Sequence, residues 1–333
     1  MRLGFFTRLL DDVPAGERYR LATEQIEHAE ALGFDTAWVA QHHFDGAEGG
    51  LPAPLVFLAH VAARTRRIRL GTGIITLPLE QPVRVAEDTA VLDLLTGGRL
   101  EVGVGSGGTP SSFGPFGHES AERAALYAEH LAVLVRAWSG EDLGGGNRLY
   151  PPAPRLTEAI WEATFSVSGG TRAGRAGNGL MLSRTQPRPA DDPQATLADL
   201  QQPIVAAYHE NLPSGAVPRI VASRTAFVAD SRAEALRWAE RGLGRGRLPF
   251  ELPDERPDGL DRRIAAFDVH VGTPEDVIES LRADPTLERV TDLVFQVHSV
   301  DPPHPLILRS IELLATEVAP ALGWLPSPEM SSS

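Results

Sequence analysis

The chain contains no cysteine. That excludes a disulfide framework, thiolate metal sites and a cysteine nucleophile. Lysine is absent too: all 31 basic residues are arginine. Schiff-base chemistry, lysine-bound pyridoxal phosphate and a phosphate-loop lysine are excluded with it. No apolar run reaches the roughly 18–20 residues of a membrane span. The apolar part of the first segment, MRLGFFTRLLDD, is too short for a secretory signal and reads as a first strand. A cytoplasmic protein is the expectation. Positive charge is in deficit, 31 basic against 44 acidic residues, for a net charge of −13. Such a chain repels nucleic-acid phosphates and anionic lipid, so neither is an expected partner, although local arginines can still form an anion pocket. The chemistry must therefore run on His, Ser, Thr, Tyr, Arg, Asp, Glu or a bound cofactor.

What is present is an alternation. Strand-like runs recur at Arg2–Thr7, Thr36–Ala40, Ile68–Thr76, Leu100–Gly105, Ile160–Ser166, Gly179–Ser183, Ile220–Val228 and Asp292–Val297. Helical periods fall between them, at 18–32, 83–95, 120–138, 170–177, 231–241, 274–283 and 305–319. Alternation of this kind argues a parallel sheet, and eight strands argue closure into a (β/α)8 TIM barrel with insertion loops. An open doubly wound sheet is the alternative. It would carry G-x-G-x-x-G after its first strand, where this chain has Arg8-Leu9-Leu10-Asp11-Asp12. No linker divides the chain, so residues 1–326 read as one domain and 327–333 as a flexible tail. Two Gly/Pro-rich stretches, 141–158 and 242–263, break the rhythm as candidate lids or binding loops.

In a barrel the C-terminal strand ends share one face, and chemistry sits there. Those ends carry Thr7 and Arg8, His42 and His43, Thr76, Ser106, Ser166 and Ser168, Arg184 and Thr185, and His298. The adjacent histidines in Trp38-Val39-Ala40-Gln41-His42-His43-Phe44 stand out, because they follow a short buried strand. As strand neighbours they would face opposite ways and could not easily share a metal unless the strand bends there. A serine hydrolase elbow around Ser106 would need glycine at 104, which is Val104. Ser166-Val167-Ser168-Gly169-Gly170-Thr171 ends a strand and opens a helix. Its N–H groups and hydroxyls suit a phosphate, or equally a capped helix start.

Several longer segments together resemble the bacterial luciferase-like flavin-dependent monooxygenases. They are LGFFTRL near the start, AWVAQHHF at 37–44 and IRLGTGIITLPLEQPVRVAED at 68–88. VLDLLTGGRLEVGVGSGG at 91–108 and ATFSVSGGTRAGRAGNGLMLSR at 163–184 complete the set. The resemblance implies a barrel that binds FMN at its C-terminal face. Reduced FMN would come from a separate flavin reductase, and with O₂ a small organic substrate would be oxygenated. His42 matches the first histidine of the family's E-H-H-F motif, implicated in proton transfer, and His43 follows it as a second catalytic candidate. Gln41 stands where that motif has glutamate. Gly73 and Ile74 match a strand end where the family often has a non-prolyl cis peptide beneath the flavin ring. Ser106 falls where the family has a phosphate-holding arginine, which moves the phosphate contacts onto Ser166, Ser168, Gly169, Gly170 and Thr171. Arg184 would reach flavin or phosphate, or pair with a surface carboxylate. The 242–263 stretch lies where the family carries a mobile loop. Family members often form homodimers, with Leu55, Leu58, Val61, Val91 and Leu95 as face candidates or ordinary barrel packing. Two alternatives remain: an F420-dependent oxidoreductase on the same barrel, and a flavin-binding protein without turnover.

Overall fold

Strand pairing in the chain is parallel throughout and runs in a ring. The computed structural model describes residues 1–245, 259–297 and 302–324. Its strands are β1 (Arg2–Thr7), β2 (Thr36–Val39), β3 (Arg69–Thr72), β4 (Ile75–Thr76), β5 (Leu100–Gly105), β6 (Ile160–Ala163), β7 (Gly179–Leu182), β8 (Ile220–Val228), β9 (Val269–Gly272) and β10 (Asp292–Gln296). β1 pairs with β2 on one side and β10 on the other, and β10 pairs with β8. The order β1-β2-β3-β5-β6-β7-β8-β10 therefore closes into an eight-stranded barrel. The expected (β/α)8 fold is what the chain adopts.

Alternation along each strand sorts side chains between two cores. Leu3 and Phe5 of β1, and Leu293 and Phe295 of β10, face outward into the layer packed under the helices. Trp38, Trp161, Met181, Val221 and Val294 form a separate buried cluster inside the ring. Trp38 and Trp161 meet edge to face, 5.7 Å apart at 85°. Their bulk dictates glycine on the neighbouring strands: a Cβ on Gly71 would lie 2.2 Å from Trp38, and one on Gly179 2.3 Å from Trp161. Below the tryptophans, ion pairs Arg2–Asp292 (2.7 Å) and Arg69–Glu101 (2.6 Å) close the N-terminal end. Glu101 also accepts the Trp161 indole N–H at 2.8 Å. The interior is thus filled from the bottom, and its cavity opens toward the C-terminal strand ends.

Helix α1 (Ala15–Ala31) buries Leu21, Ala22, Ile26 and Ala29, the stripe its period predicts. It is followed by α2 (Pro54–Ala62), α3 (Pro82–Thr96), α4 (Arg123–Trp138), α5 (Val167–Ala176), α6 (Leu197–Asn211), α7 (Arg232–Arg245), α8 (Leu260–Ala266), α9 (Pro274–Arg282) and α10 (His304–Leu313). Sequence periodicity misses α2, α6, α8 and β9. It also makes one strand of Ile68–Thr76, which the structure breaks into β3 and β4 around a cis Gly73–Ile74 peptide. The fifth predicted strand stops at Ala163 rather than Ser166, because the Thr164 hydroxyl takes the Ser166 N–H (3.1 Å) and turns the chain into α5.

The 141–158 stretch joins α4 to β6, so it lies at the N-terminal end of the barrel, away from the open face. It is not a lid over that face. Most of the 242–263 stretch, His298 and the 327–333 tail lie outside the described residues. No described helix is long and apolar enough to cross a membrane.

Candidate active site

A cavity of about 270 Å³ opens among the C-terminal strand ends. Its floor is apolar: Phe6, Trp38, Ile74, Met181, Val221 and Val294 line it. Its walls come from the segments after β1, β2, β5, β6 and β7, and its polar groups sit on those walls. The structure brings His42, His43, Gly73, Ile74 and Arg184 to this one space.

The two histidines do not point to opposite faces, because β2 ends at Val39 and the chain is no longer extended when it reaches them. Phe44 sits in the left-handed region, with φ of 66°. His42 is held by its own backbone N–H, which donates to Leu51 O at 3.0 Å. Gly49 lies flat against its ring, where a Cβ would come within 2.3 Å of Cδ2. The His42 Nδ1 lies 3.8 Å from the Glu48 carboxylate, too far for a hydrogen bond. Glu48 instead accepts from the Thr109 hydroxyl at 2.5 Å. Burial pushes the His42 pKa down to about 3, and the nearby charges of Arg8 and Arg184 add to the effect. His42 is therefore a neutral imidazole across the physiological range. His43 lines the same cavity, on its Phe116 side. Its ring packs edge-on against Phe116 at 4.9 Å, and burial lowers its pKa as well.

Gln41 is a structural tie. Its carbonyl oxygen accepts the Thr76 N–H at 2.7 Å, and its amide donates to Pro52 O (3.1 Å) and to Glu80 Oε1 (2.6 Å). The Glu80 carboxylate is thus held by the Gln41 amide. Burial raises the Glu80 pKa, against the pull of the Gln41 hydrogen bond.

The phosphate candidates lie at one edge of the cavity. Thr164 and Phe165 line it, and Ser166 follows as the N-cap of α5, accepting the Gly169 N–H at 3.2 Å. The hydroxyls of Thr164, Ser166 and Ser168 stand in a row, 3.2 and 3.1 Å apart. Ser166 and Ser168 are exposed and Thr171 is half-buried. Gly169 and Gly170 have packing reasons of their own. A Cβ on Gly169 would strike the Thr164 side chain at 2.0 Å, and one on Gly170 the Ile204 carbonyl of α6 at 2.5 Å. The buried carboxylate of Glu162 anchors α5 from below, accepting from Tyr127 (2.9 Å), Arg172 (2.7 Å) and Asn178 (2.9 Å). Ser106 is half-buried and off the wall; the lining backbone there is Gly107 and Gly108.

Three contributors carry no sequence signal of a site: Glu48, Thr109 and Ser223. Glu48 and Thr109 come from loops. Ser223 is on β8, two residues beyond Val221, and the period-2 rule puts both on the lumen side.

Residues 1–286 match the profile of the luciferase-like monooxygenase family. The chain belongs to that family. It is 34% identical over 281 residues to 4-hydroxyprotoasukamycin monooxygenase of Streptomyces nodosus subsp. asukaensis, covering 78% of this chain and 75% of that one. It is 32% identical over 168 residues to an F420-dependent glucose-6-phosphate dehydrogenase of Beutenbergia cavernae, covering 46% and 50%. The crystal structure of monooxygenase RslO1 from Streptomyces bottropensis superposes with a TM-score of 0.81 at 26% identity, over 97% of this chain and all of that one. Among its relatives the family thus holds both monooxygenases and F420-dependent oxidoreductases.

Proposed function

We propose that this protein is an FMN-dependent monooxygenase. It uses reduced FMN from a separate flavin reductase, together with O₂, to oxygenate a small organic substrate. The observation that carries the reading is the juxtaposition in one cavity: an apolar floor suited to a flat ring, a neutral imidazole at its side, and a hydroxyl-bearing helix start at its edge. FMN in preference to F420 is supported by the likeness to a monooxygenase over 281 residues, against 168 for the F420 relative. When bound, reduced FMN supplies the electrons that activate O₂.

The residues fit such a group. Ile74, Met181, Val221 and Val294 offer an apolar bed that excludes water. The backbone between Gly73 and Ile74 forms the wall on which the ring would rest. Thr164, Ser166 and Ser168, with the N-terminal N–H groups of α5, would hold the phosphate. Neutral His42 brings no charge to the pocket at rest, and it becomes an imidazolium only for as long as it holds a proton taken from the reacting groups. His43 borders the entrance with Phe116. Two copies would pair through the outer face of α2 and α3. Val56, Val91, Leu94 and Leu95 are exposed there, whereas Leu58 and Val61 are buried in the barrel-facing core and Leu55 packs partly against it.

Anaerobic titration with reduced FMN and reduced F420 tests the cofactor. The expected result is tighter binding of FMN, and O₂ uptake above the flavin-alone background once air is admitted. Tighter binding of F420 would replace the monooxygenase with a hydride-transfer enzyme. Flavin binding with no extra O₂ uptake would leave a binding protein. Sedimentation of wild type against Leu94→Glu tests the pairing.

A further inference from the structure

Among the described residues, the cavity holds more positive charge than its neighbouring carboxylates neutralise. Arg8, at the end of β1, lines it with a buried Nε that has no hydrogen-bond partner among the described residues. Arg184, just past β7, is 8% exposed, and its only hydrogen bond among the described residues is a long one, 3.4 Å from Nη1 to the Thr225 hydroxyl. The Ser223 hydroxyl, buried in the same wall, also lacks a partner there. Nearby carboxylates do not settle the account. Asp268 is engaged by Arg188 (2.6 Å) and Thr185 (2.7 Å). Glu48 lies near Arg8 but is bonded to Thr109. Burial lowers the pKa of Arg8 to about 10 and of Arg184 to about 9, so both stay charged at neutral pH. Buried donors without acceptors are costly, and two guanidinium groups have donors only.

We propose that Arg8 and Arg184, with Ser223, form a recognition site for the carboxylate of the substrate, which is an apolar or aromatic carboxylic acid that enters head first. This names the substrate class of the site above and rests on the monooxygenase reading. Guanidinium groups match a carboxylate in geometry and charge. Both arginines line the cavity with His42, and their charge reaches its imidazole. The mouth suits the rest of such a molecule: Phe44, Phe116 and Phe165 are exposed at 71%, 39% and 47% around it. Carboxylate binding also lifts the His42 pKa toward its ordinary range, because it cancels the charges that help to depress it.

Matched probes test this on the purified protein: benzoate against benzamide, 2-naphthoate against 2-naphthamide, and decanoate against decanamide. Affinities are read by NMR, together with the titration of the His42 imidazole. Wild type should prefer at least one carboxylate over its amide by about tenfold or more, with a rise in the His42 midpoint. Arg8→Met and Arg184→Met, each checked for folding by circular dichroism, should cut that preference to about threefold or less and hold FMN affinity within about threefold. No preference in any wild-type pair overturns the proposal, and that measurement needs no variant. A preference kept in both variants, or FMN affinity lost in place of it, also overturns it and assigns the arginines to the cofactor. Binding of F420 in place of FMN would sink the monooxygenase reading while the carboxylate preference stood.

Discussion

Replacing His42 should change how stability depends on pH more than it changes stability at neutral pH. In the folded chain its pKa is pushed from the ordinary 6.5 to about 3, first by burial and then by Arg8, Arg184 and His43. The unfolded chain keeps the ordinary value. Between those two values the unfolded state binds a proton that the folded state refuses, so stability rises with pH across that window and falls as pH drops through it. Each pH unit below 6.5 costs about 1.4 kcal/mol, which gives about 2 kcal/mol at pH 5. His42 keeps 19% side-chain exposure. Water in the open cavity screens part of the effect, so about 1–2 kcal/mol is the expected figure. Urea unfolding of wild type and His42→Gln at pH 7.5 and pH 5.0 measures it. Titrations elsewhere cancel in the comparison. Wild type should lose about 1–2 kcal/mol more than the variant on going to pH 5. Equal losses in the two proteins would show that the folded state accepts the proton, and the neutral-imidazole argument would fail.

Gln41→Glu puts a second carboxylate against Glu80 and removes two donated hydrogen bonds. It should lower stability by about 2–4 kcal/mol at pH 8 and recover part of that at pH 5, as the pair takes up a proton. A urea midpoint insensitive to pH would count against it. Gly170→Ala drives a Cβ to 2.5 Å from the Ile204 carbonyl. The crowding should cost about 1–3 kcal/mol, beyond the roughly 1 kcal/mol that alanine returns in helix propensity. A raised Tm would show that α5 and α6 can part freely. Ser166→Ala removes the α5 cap at a cost of about 1 kcal/mol. It should weaken FMN several-fold and leave riboflavin binding unchanged; equal weakening of both would detach Ser166 from the phosphate.

The strand ends were legible because a buried parallel strand is a continuous apolar run, and the residue where that run stops marks the rim. This is why Arg8, His42 and Arg184 were found without a contact map. Their energetic state was not legible: that no described carboxylate bonds Arg8 or Arg184 depends on where Asp268 and Glu48 settle, and those residues arrive on loops with no period. Helix α6 escaped because Pro203 interrupts its pattern, and α2 because nearly every residue in PLVFLAHVA is apolar. β9 escaped because it is four residues long and pairs, among the described residues, only with the far half of β8. The SGGT segment offered two readings, phosphate cradle and helix packing. The structure gives Gly170 a packing reason that only the position of α6 could reveal.

Among the described residues, the Trp38–Trp161 plug makes the barrel a room with one door. On the proposed reading, cofactor, substrate and product share that threshold, because the far end is stoppered by indole rings and ion pairs. Whatever enters first is trapped behind the next arrival, so the order of entry fixes the order of departure. A visitor lodged at the sill can hold the occupant beneath it in place without touching any group that holds it there.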